Sequence, residues 1–429
     1  MLTVKSNFNE IDEGNSYIGY SEAFNIIKTN VHPLEVEELT INMCAGRIAA
    51  SDLVALISYP STDVSLKDGF AVKSADIVNA DSDKPVCLTV DGAAFAGIKY
   101  EGRVKHGSAV KICSGSQIPH GADAVVSGEF CQEVSGGEVL VKADAGPGRN
   151  ILHVGVEVEA GEVIVRNGEK LLPGKLGLAA AAGIDRVKVH RQPHVAIISI
   201  GDEVVAPGLK LNSGQLYASN MVTMEAWLAA SGIPCVTSIT SDNEANIKLN
   251  VNKHLPDADI ILTSGGAWGS ERDLVIGVMN KLGWQKLFHY VRMGPGKGIA
   301  FGLLENVPVF CLPGGPSSNV MAFLQLALPA ILRMHGETGY PLQIINARLT
   351  ENVKGRNQAW TEFKDAVLTY DNEGNYSVKL YKSKSRLQAI AGANALICIP
   401  EGRESLNENE VIPVQLRFRL KTPVLPECR

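Results

Sequence analysis

Five short polar turns carry the residues most suited to chemistry in this chain: Gly201-Asp202-Glu203, Ser241-Asp242, Ser264-Gly265-Gly266, Gly294-Pro295-Gly296-Lys297-Gly298 and Pro313-Gly314-Gly315-Pro316. Glycine lets backbone N–H groups come close to a ligand, and Lys297 adds a positive charge within reach of a phosphate. Any one Gly-Gly turn is equally well explained by the tight geometry that parallel sheets require. Five together favour an anion site. Glu203, Asp242 and Asp273 lie at or just after the same turns, where carboxylates and phosphates would repel one another unless a cation lay between them. Magnesium is the economical cation, because it is held by one or two carboxylates together with substrate phosphates. The competing explanation is that Asp242 and Asp273 only cap helices, the commoner task for Asp at a helix start.

The turns need a scaffold, and the surrounding pattern supplies one. Apolar runs at 195–200, 236–239, 260–263, 286–293 and 309–312 read as strands. Helical segments separate them, one capped by Ser219 and running to Gly232, others at 242–254 and 272–282, and a last one ending near Met334. Alternation of this length predicts a mostly parallel sheet covered on both faces. In such sheets ligands bind beyond the carboxyl ends of the strands, where all five turns are expected to fall.

The rest of the chain looks different. Residues 21–52 read as a mixed, helical arm with Ala23, Ile26 and Ile27 on one face. Short β runs fill 53–145, and a helical stretch at 171–183 is expected to pack against the first arm. The β-rich piece is then an insertion within one domain. After Tyr340 four β runs predict a separate C-terminal β domain. Asp68-Gly69 and Gly155-Val156-Glu157 read, by themselves, as turns.

With 429 residues, two to four domains are expected, and 45% hydrophobic with 20% charged residues fits a folded, soluble chain. A net charge of −6 without any basic run argues against nucleic-acid binding. The eight cysteines show no metal-ligand spacing and mostly sit in apolar runs, so they read as small hydrophobes in a reducing compartment. No apolar stretch reaches bilayer length and the first residues lack a secretory pattern, which predicts no membrane association and a cytoplasmic location.

In their order along the chain these motifs resemble the molybdopterin molybdenumtransferases, whose animal counterpart is the C-terminal domain of gephyrin. Residues 63–71 (Asp63-Val64-Ser65-Leu66-Lys67-Asp68-Gly69-Phe70-Ala71) are similar to the family's Asp-Asn-Ser-Ala-Met-Asp-Gly-Tyr-Ala. Ser114-Gly115, Pro119-His120-Gly121-Ala122-Asp123, Gly148-Arg149-Asn150 and Gly155-Val156-Glu157 follow. Then come Ser199-Ile200-Gly201-Asp202-Glu203, Thr263-Ser264-Gly265-Gly266 with Asp273, Pro295-Gly296-Lys297 and Leu312-Pro313-Gly314-Gly315-Pro316. The likeness spans almost the whole chain, from Tyr20 to Leu416.

The resemblance implies a multidomain α/β protein. A split helical arm domain would occupy 16–54 and 146–187, an inserted β-rich domain 55–145, a three-layer α/β molybdopterin-binding domain with a parallel-rich sheet 188–338, and a C-terminal β barrel 339–421. It implies a transferase of molybdenum cofactor biosynthesis that takes adenylylated molybdopterin and molybdate, uses Mg2+ and releases AMP. Asp68, Glu157, Glu203, Asp242 and Asp273 take the family's acidic positions, with Glu203, Asp242 and Asp273 as metal ligands. Substrate contacts fall to Ser114, Ser199, Gly201, Ser264, Gly265, Gly266, Arg292, Gly296, Lys297, Pro313, Gly314 and Pro316. A homodimer is implied, with each site shared between one subunit's α/β domain and its partner's inserted domain, and an upstream molybdopterin-adenylylating protein as a further partner.

Several positions depart from the family. Residue 157 is Glu in place of Asp and 114 is Ser in place of Thr. Two of three lysines around Pro295-Gly296-Lys297 are replaced, with Arg292 offering one charge back. Trp268 and Ser270 stand where small residues are usual, Ala218 replaces Asp and Gly315 replaces Asn. Two functions follow from this mixture: a working insertion enzyme, or a catalytically impaired paralogue that binds molybdopterin or a related nucleotide as a carrier or assembly partner.

Overall fold

The computed structural model describes residues 17–265, 274–339, 342–371 and 373–417. The chain divides into two compact units, one of residues 38–189 and one of residues 1–37 with 190–429.

The unit of 38–189 contains a six-stranded sheet in the order Ala124–Ser127, Gly69–Val72, Ser108–Ile112, Val86–Ala94, Glu138–Val141, Cys131–Val134. Pairs are antiparallel except that of Val86–Ala94 with Ser108–Ile112. Alternate residues turn inward, so Leu88, Val126, Val139 and Val141 share a core with Phe70 and Ile77. A second core joins Cys44, Ala49 and Leu53 to Val165, Leu171, Ala179, Val187 and Val189. The chain therefore leaves this core before the sheet and returns to it afterwards, as an inserted piece requires. The returning helix is Pro173–Ala181, started by a proline whose missing N–H costs nothing at that position.

The arm expected over 21–52 is not one element. Tyr20–Asn30 is helical, but Val36–Thr40 is a strand. The buried face of the helix, Ala23 and Ile27, packs into the core of the other unit, with Val195 and Met224 among its members. The helical spacing was read correctly, but spacing does not say which core a face joins.

In the unit containing 190–417, the α/β portion comprises strands Val195–Ile200 (β1), Cys235–Thr240 (β2), Ile260–Ser264 (β3) and Gln285–His289 (β4), and helices Ser219–Ala230 (α1), Glu244–His254 (α2) and Leu274–Lys281 (α3). Val291–Gly294 (β5), Ala300–Leu304 (β6) and Val307–Leu312 (β7) follow, then a long helix (α4) that starts at Pro316–Ala322 and continues through a π segment, Phe323–Ala327, to Leu328–Met334. The sheet order is β2-β1-β3-β7-β6-β4. The first four strands are parallel and the last two antiparallel. β1 is buried along its whole length, as its unbroken apolar run predicts for a central parallel strand. Its residues alternate between two cores: Val195 and Ile197 on one face, Ala196, Ile198 and Ile200 on the other.

One strand differs from expectation. The run at 286–293 is two strands, because Tyr290 takes a positive φ of 71° and turns the chain out of the sheet. β4 stays in the α/β sheet. β5 pairs in parallel with Thr361–Tyr370 (β9) and belongs to the C-terminal sheet. Strands Ile344–Leu349 (β8), β9, Tyr376–Leu380 (β10), Ala395–Ile399 (β11) and Val411–Leu416 (β12) close a five-stranded barrel in the order β9-β10-β8-β12-β11, with β11 returning to β9. Closure removes the free edges that an open sheet of this size would leave. A short helix, Arg386–Gly392 (α5), precedes β11 and touches α4.

Seven free cysteines are described. Cys44 and Cys311 are buried, but Cys113, Cys131, Cys235 and Cys398 are only half-buried and Cys87 is exposed, so the apolar runs overstate how many are core residues. Among the described residues no helix is long and apolar enough to cross a membrane.

Phe310 in β7 is fully buried and its ring lies 4.5 Å from that of Phe301. Phe310→Ala is expected to destabilise this unit by about 3–5 kcal/mol. Urea denaturation followed by fluorescence checks it, and a loss below about 1 kcal/mol would mean the site collapses around the vacancy.

Candidate functional site

Parallel pairing brings the turns together. Ile200 is in register with Thr240, Ser199 with Ser264, and Ser264 with Leu312. The residues that follow these positions therefore emerge side by side: Gly201 after β1, Ser241-Asp242 after β2, Gly265 after β3 and Pro313 after β7. Gly265 sits at φ 106°, its N–H bonded to the Leu312 carbonyl, and a side chain there would begin 2.4 Å from the Ile200 carbonyl oxygen. Only glycine fits. Gly314 in turn packs on Gly265, whose Cα lies 3.5 Å from where a Gly314 side chain would start.

Two asparagines that sequence reading did not assign to the site hold this floor in place. The buried Asn319, in the first turn of α4, donates through Nδ2 to Ser264 Oγ at 3.0 Å and to the Pro313 carbonyl at 2.9 Å. Asn220, in the first turn of α1, donates to the Gly314 carbonyl at 2.8 Å. The available signal was position: each asparagine follows a helix start facing the strand ends. That helix starts at Ser219 itself, with Ala218 in the cap position, so Ser219 is its first helical residue and not its cap.

The fifth turn arrives by another route. Gly294-Pro295-Gly296-Lys297 follows β5, in the barrel's sheet, not a parallel strand of the α/β sheet. Gly296, at φ 116°, packs on α4: a side chain there would begin 3.4 Å from the Ser318 carbonyl oxygen and 3.3 Å from Ala322 N. The turn is thus placed beside the helix that Pro313-Gly314-Gly315-Pro316 opens. Glu362 of β9 lies against Gly294 and accepts hydrogen bonds from the backbone N–H groups of Arg356 and Asn357 and from Lys364 Nζ. Burial alone would raise its carboxyl pKa. Lys364 and the two N–H groups outweigh that and hold it low.

Among the acids, Glu203 folds its carboxylate over Gly201. Asp202 Oδ1 accepts from the Asp242 N–H at 3.1 Å, tying the loops after β1 and β2 together. The cap of α2 is Asn243, whose side chain accepts from Asn246 N. Asp242 is therefore not there as a helix cap, which removes the competing explanation for that residue. Asp273, Gly266, Trp268 and Ser270 lie outside the described residues.

Arg292 is engaged elsewhere. Its guanidinium donates to Glu401 at 2.9 Å and to the Tyr17 carbonyl at 2.7 Å, so its charge is neutralised locally. Lys297 is half-buried in the fifth turn.

In the unit of 38–189, Asp68 Oδ1 accepts from the Ser114 N–H at 2.7 Å, joining two residues far apart in sequence. Gly69 is required beside it, because a side chain there would start 1.9 Å from the Val126 carbonyl oxygen. Asp68 lines a cavity of about 490 Å³ with Phe70, Phe95, Lys111, Cys113 and Glu133. Glu157 is exposed in a turn whose N–H bonds to the Tyr59 carbonyl, and it does not line this cavity.

The three parts of the chain each match a family model: residues 18–183 the MoeA N-terminal region (domain I and II), 196–333 the probable molybdopterin binding domain, and 346–416 the MoeA C-terminal region (domain IV). A curated relative, molybdopterin molybdenumtransferase of Haemophilus influenzae, is 31% identical over 390 residues, covering 89% of this chain and 94% of its own. The chain belongs to the MoeA family. Molybdopterin molybdenumtransferase 2 of Mycobacterium tuberculosis is 30% identical over 379 residues, with 84% and 90% covered. A molybdopterin biosynthesis MoeA protein structure from Pyrococcus horikoshii superposes with a TM-score of 0.75 at 31% identity, covering 94% of this chain and 99% of that one. The MoeA assignment rests on matches along most of the chain, and the model of the molybdopterin-binding domain spans all five turns.

Two predictions test this geometry. Gly265→Ala is expected to cost about 1–3 kcal/mol from strain at its φ, with the turn forced off Ile200; an unchanged melting temperature would show that the loop has room. Glu362 contributes stability that is full above its ordinary pKa of 4.5 and is lost as pH falls through its lower folded value. Glu362→Gln should therefore flatten the stability profile on the acid side of 4.5. An acid limb identical to wild type would rule out this source.

Proposed function

We propose that this chain inserts molybdenum into adenylylated molybdopterin in molybdenum cofactor biosynthesis, breaking the phosphoanhydride and releasing AMP. The single observation that carries the reading is the convergence of Gly201, Ser264-Gly265 and Pro313-Gly314 at adjacent parallel strand ends, with Asp242 free of a capping role. Backbone bare of side chains lets phosphates approach, and Lys297 supplies positive charge. The names of the relatives support the transfer of molybdenum to molybdopterin.

Glu203 and Asp242 offer hard oxygen donors on loops joined by the Asp202–Asp242 hydrogen bond, which suits Mg2+. No group of three His, Cys, Asp or Glu able to hold a metal occurs among the described residues, so substrate oxygens would complete the ion's shell. Asp273 is assigned with them from the resemblance. When bound, Mg2+ neutralises charge on the phosphates. Glu203 and Asp242 would hold it, Lys297 would orient the phosphates, and the glycine floor keeps side chains out of their path. Ser114, Ser199, Gly266, Gly296, Pro316, Asp68 and Glu157 complete the proposed set, the last with Asp68 and Ser114 facing the ligand from a partner subunit.

A homodimer is part of this reading. Its support is an apolar surface of Leu56, Ile57, Tyr59, Val154 and Val156, each at least 45% exposed, which a second copy would cover. The upstream molybdopterin-adenylylating partner and a cytoplasmic location follow from the same chemistry. One observation favours the second reading, of a carrier or assembly partner: the engagement of Arg292 by Glu401 leaves fewer cations for phosphate.

Asp242→Asn is expected to lower AMP release at least about 100-fold, the scale of a lost electrostatic contact in a catalytic site, while the melting temperature stays unchanged. Turnover equal to wild type would remove Asp242 from the reaction. Lys297→Ala should weaken binding of adenylylated molybdopterin by about 1–3 kcal/mol, and an unaltered dissociation constant would take it out of the site.

A further inference from the structure

The cation that faces the Pro313-Gly314-Gly315-Pro316 turn comes from the barrel's short helix. Arg386, the first residue of α5, places Nη1 3.9 Å from where a side chain on Gly315 would begin, and among the described residues it is the only neighbour within 4 Å there. Among the described residues, this guanidinium alone faces the turn at Gly315. Arg386 is exposed and makes no hydrogen bond or ion pair among the described residues. Four other arginines of the unit are held in ion pairs: Arg191 by Asp259, Arg292 by Glu401, Arg403 by Glu410 and Arg417 by Asp365. The turn itself is held from other sides, by Asn220 on Gly314 and by Asn319 on Pro313, so nothing in its own fastening needs Arg386.

We propose that Arg386 is a ligand-binding residue that takes an oxyanion of the substrate over this turn, filling the cationic role that the family resemblance implied for Arg292. The proposal rests on the function proposed above and adds to it a named contact. A planar guanidinium presents paired N–H donors that match a tetrahedral oxyanion, and no acid among the described residues forms an ion pair with it. The same chemistry describes a phosphate of the pterin ligand and an oxometalate such as molybdate.

The test uses the full chain and two simple probes, sodium molybdate and inorganic phosphate, titrated separately by calorimetry into wild type, Arg386→Ala and Arg386→Lys, with melting temperatures as the folding control. The expected result is about tenfold weaker binding by Arg386→Ala, a loss typical of one charge-assisted contact, with Arg386→Lys intermediate and all melting temperatures alike. Loss confined to molybdate assigns the contact to the oxometalate, and loss confined to phosphate assigns it to the pterin phosphate. Arg386→Ala that binds both probes like wild type overturns the proposal. Wild type that releases AMP yet binds neither probe overturns the Arg386 contact alone, and wild type that does neither overturns the functional reading with it.

Discussion

The close approach of three backbones at the strand ends is the constraint on which the rest of the site depends. The Ile200 carbonyl oxygen occupies the space where a side chain on Gly265 would start, only 2.4 Å away, and Gly314 packs on the other side of Gly265. That contact fixes the relative height of the loops after β1, β3 and β7. It also decides what lines the floor: backbone, with side chains supplied from helices at the edge. Asn319 and Asn220 then satisfy the carbonyls of Pro313 and Gly314.

The second organising feature is the ladder between β5 and the barrel. Met293 pairs with Thr361 and Gly294 with Glu362, so the lysine-bearing turn is held by barrel backbone while Gly296 rests on α4. Arg292 and Glu401 add an ion pair at the same seam, partly exposed and so modest in strength. The barrel thus carries the fifth turn through β5, and α5 brings Arg386 to Gly315. Cationic groups on separate supports around a rigid glycine floor suit a ligand with more than one anionic group.

Much of this was legible in the sequence, and for definite reasons. Unbroken apolar runs such as Val195-Ala196-Ile197-Ile198-Ser199-Ile200 have only one common use, a buried parallel strand, and glycine turns after them mark the binding edge. Leu53 and Leu171, on either side of the β-rich piece, share a core. What could not be read depends on contacts remote in sequence or on a single torsion. A positive φ at Tyr290 splits an apparently continuous strand and moves its turn to another sheet. The capture of Arg292 by Glu401, the capping of α2 by Asn243 and not Asp242, and the approach of Arg386 to Gly315 leave no periodic trace. Nor does the helical face of Ala23 and Ile27 announce which core will receive it.

The central claim is that this geometry supports molybdenum insertion and not ligand carriage alone. It is tested most directly by incubating purified full-length protein with adenylylated molybdopterin and Mg2+, with and without molybdate, and measuring AMP. AMP release that rises with molybdate is the predicted result. Tight binding of adenylylated molybdopterin with no AMP released under either condition would contradict it.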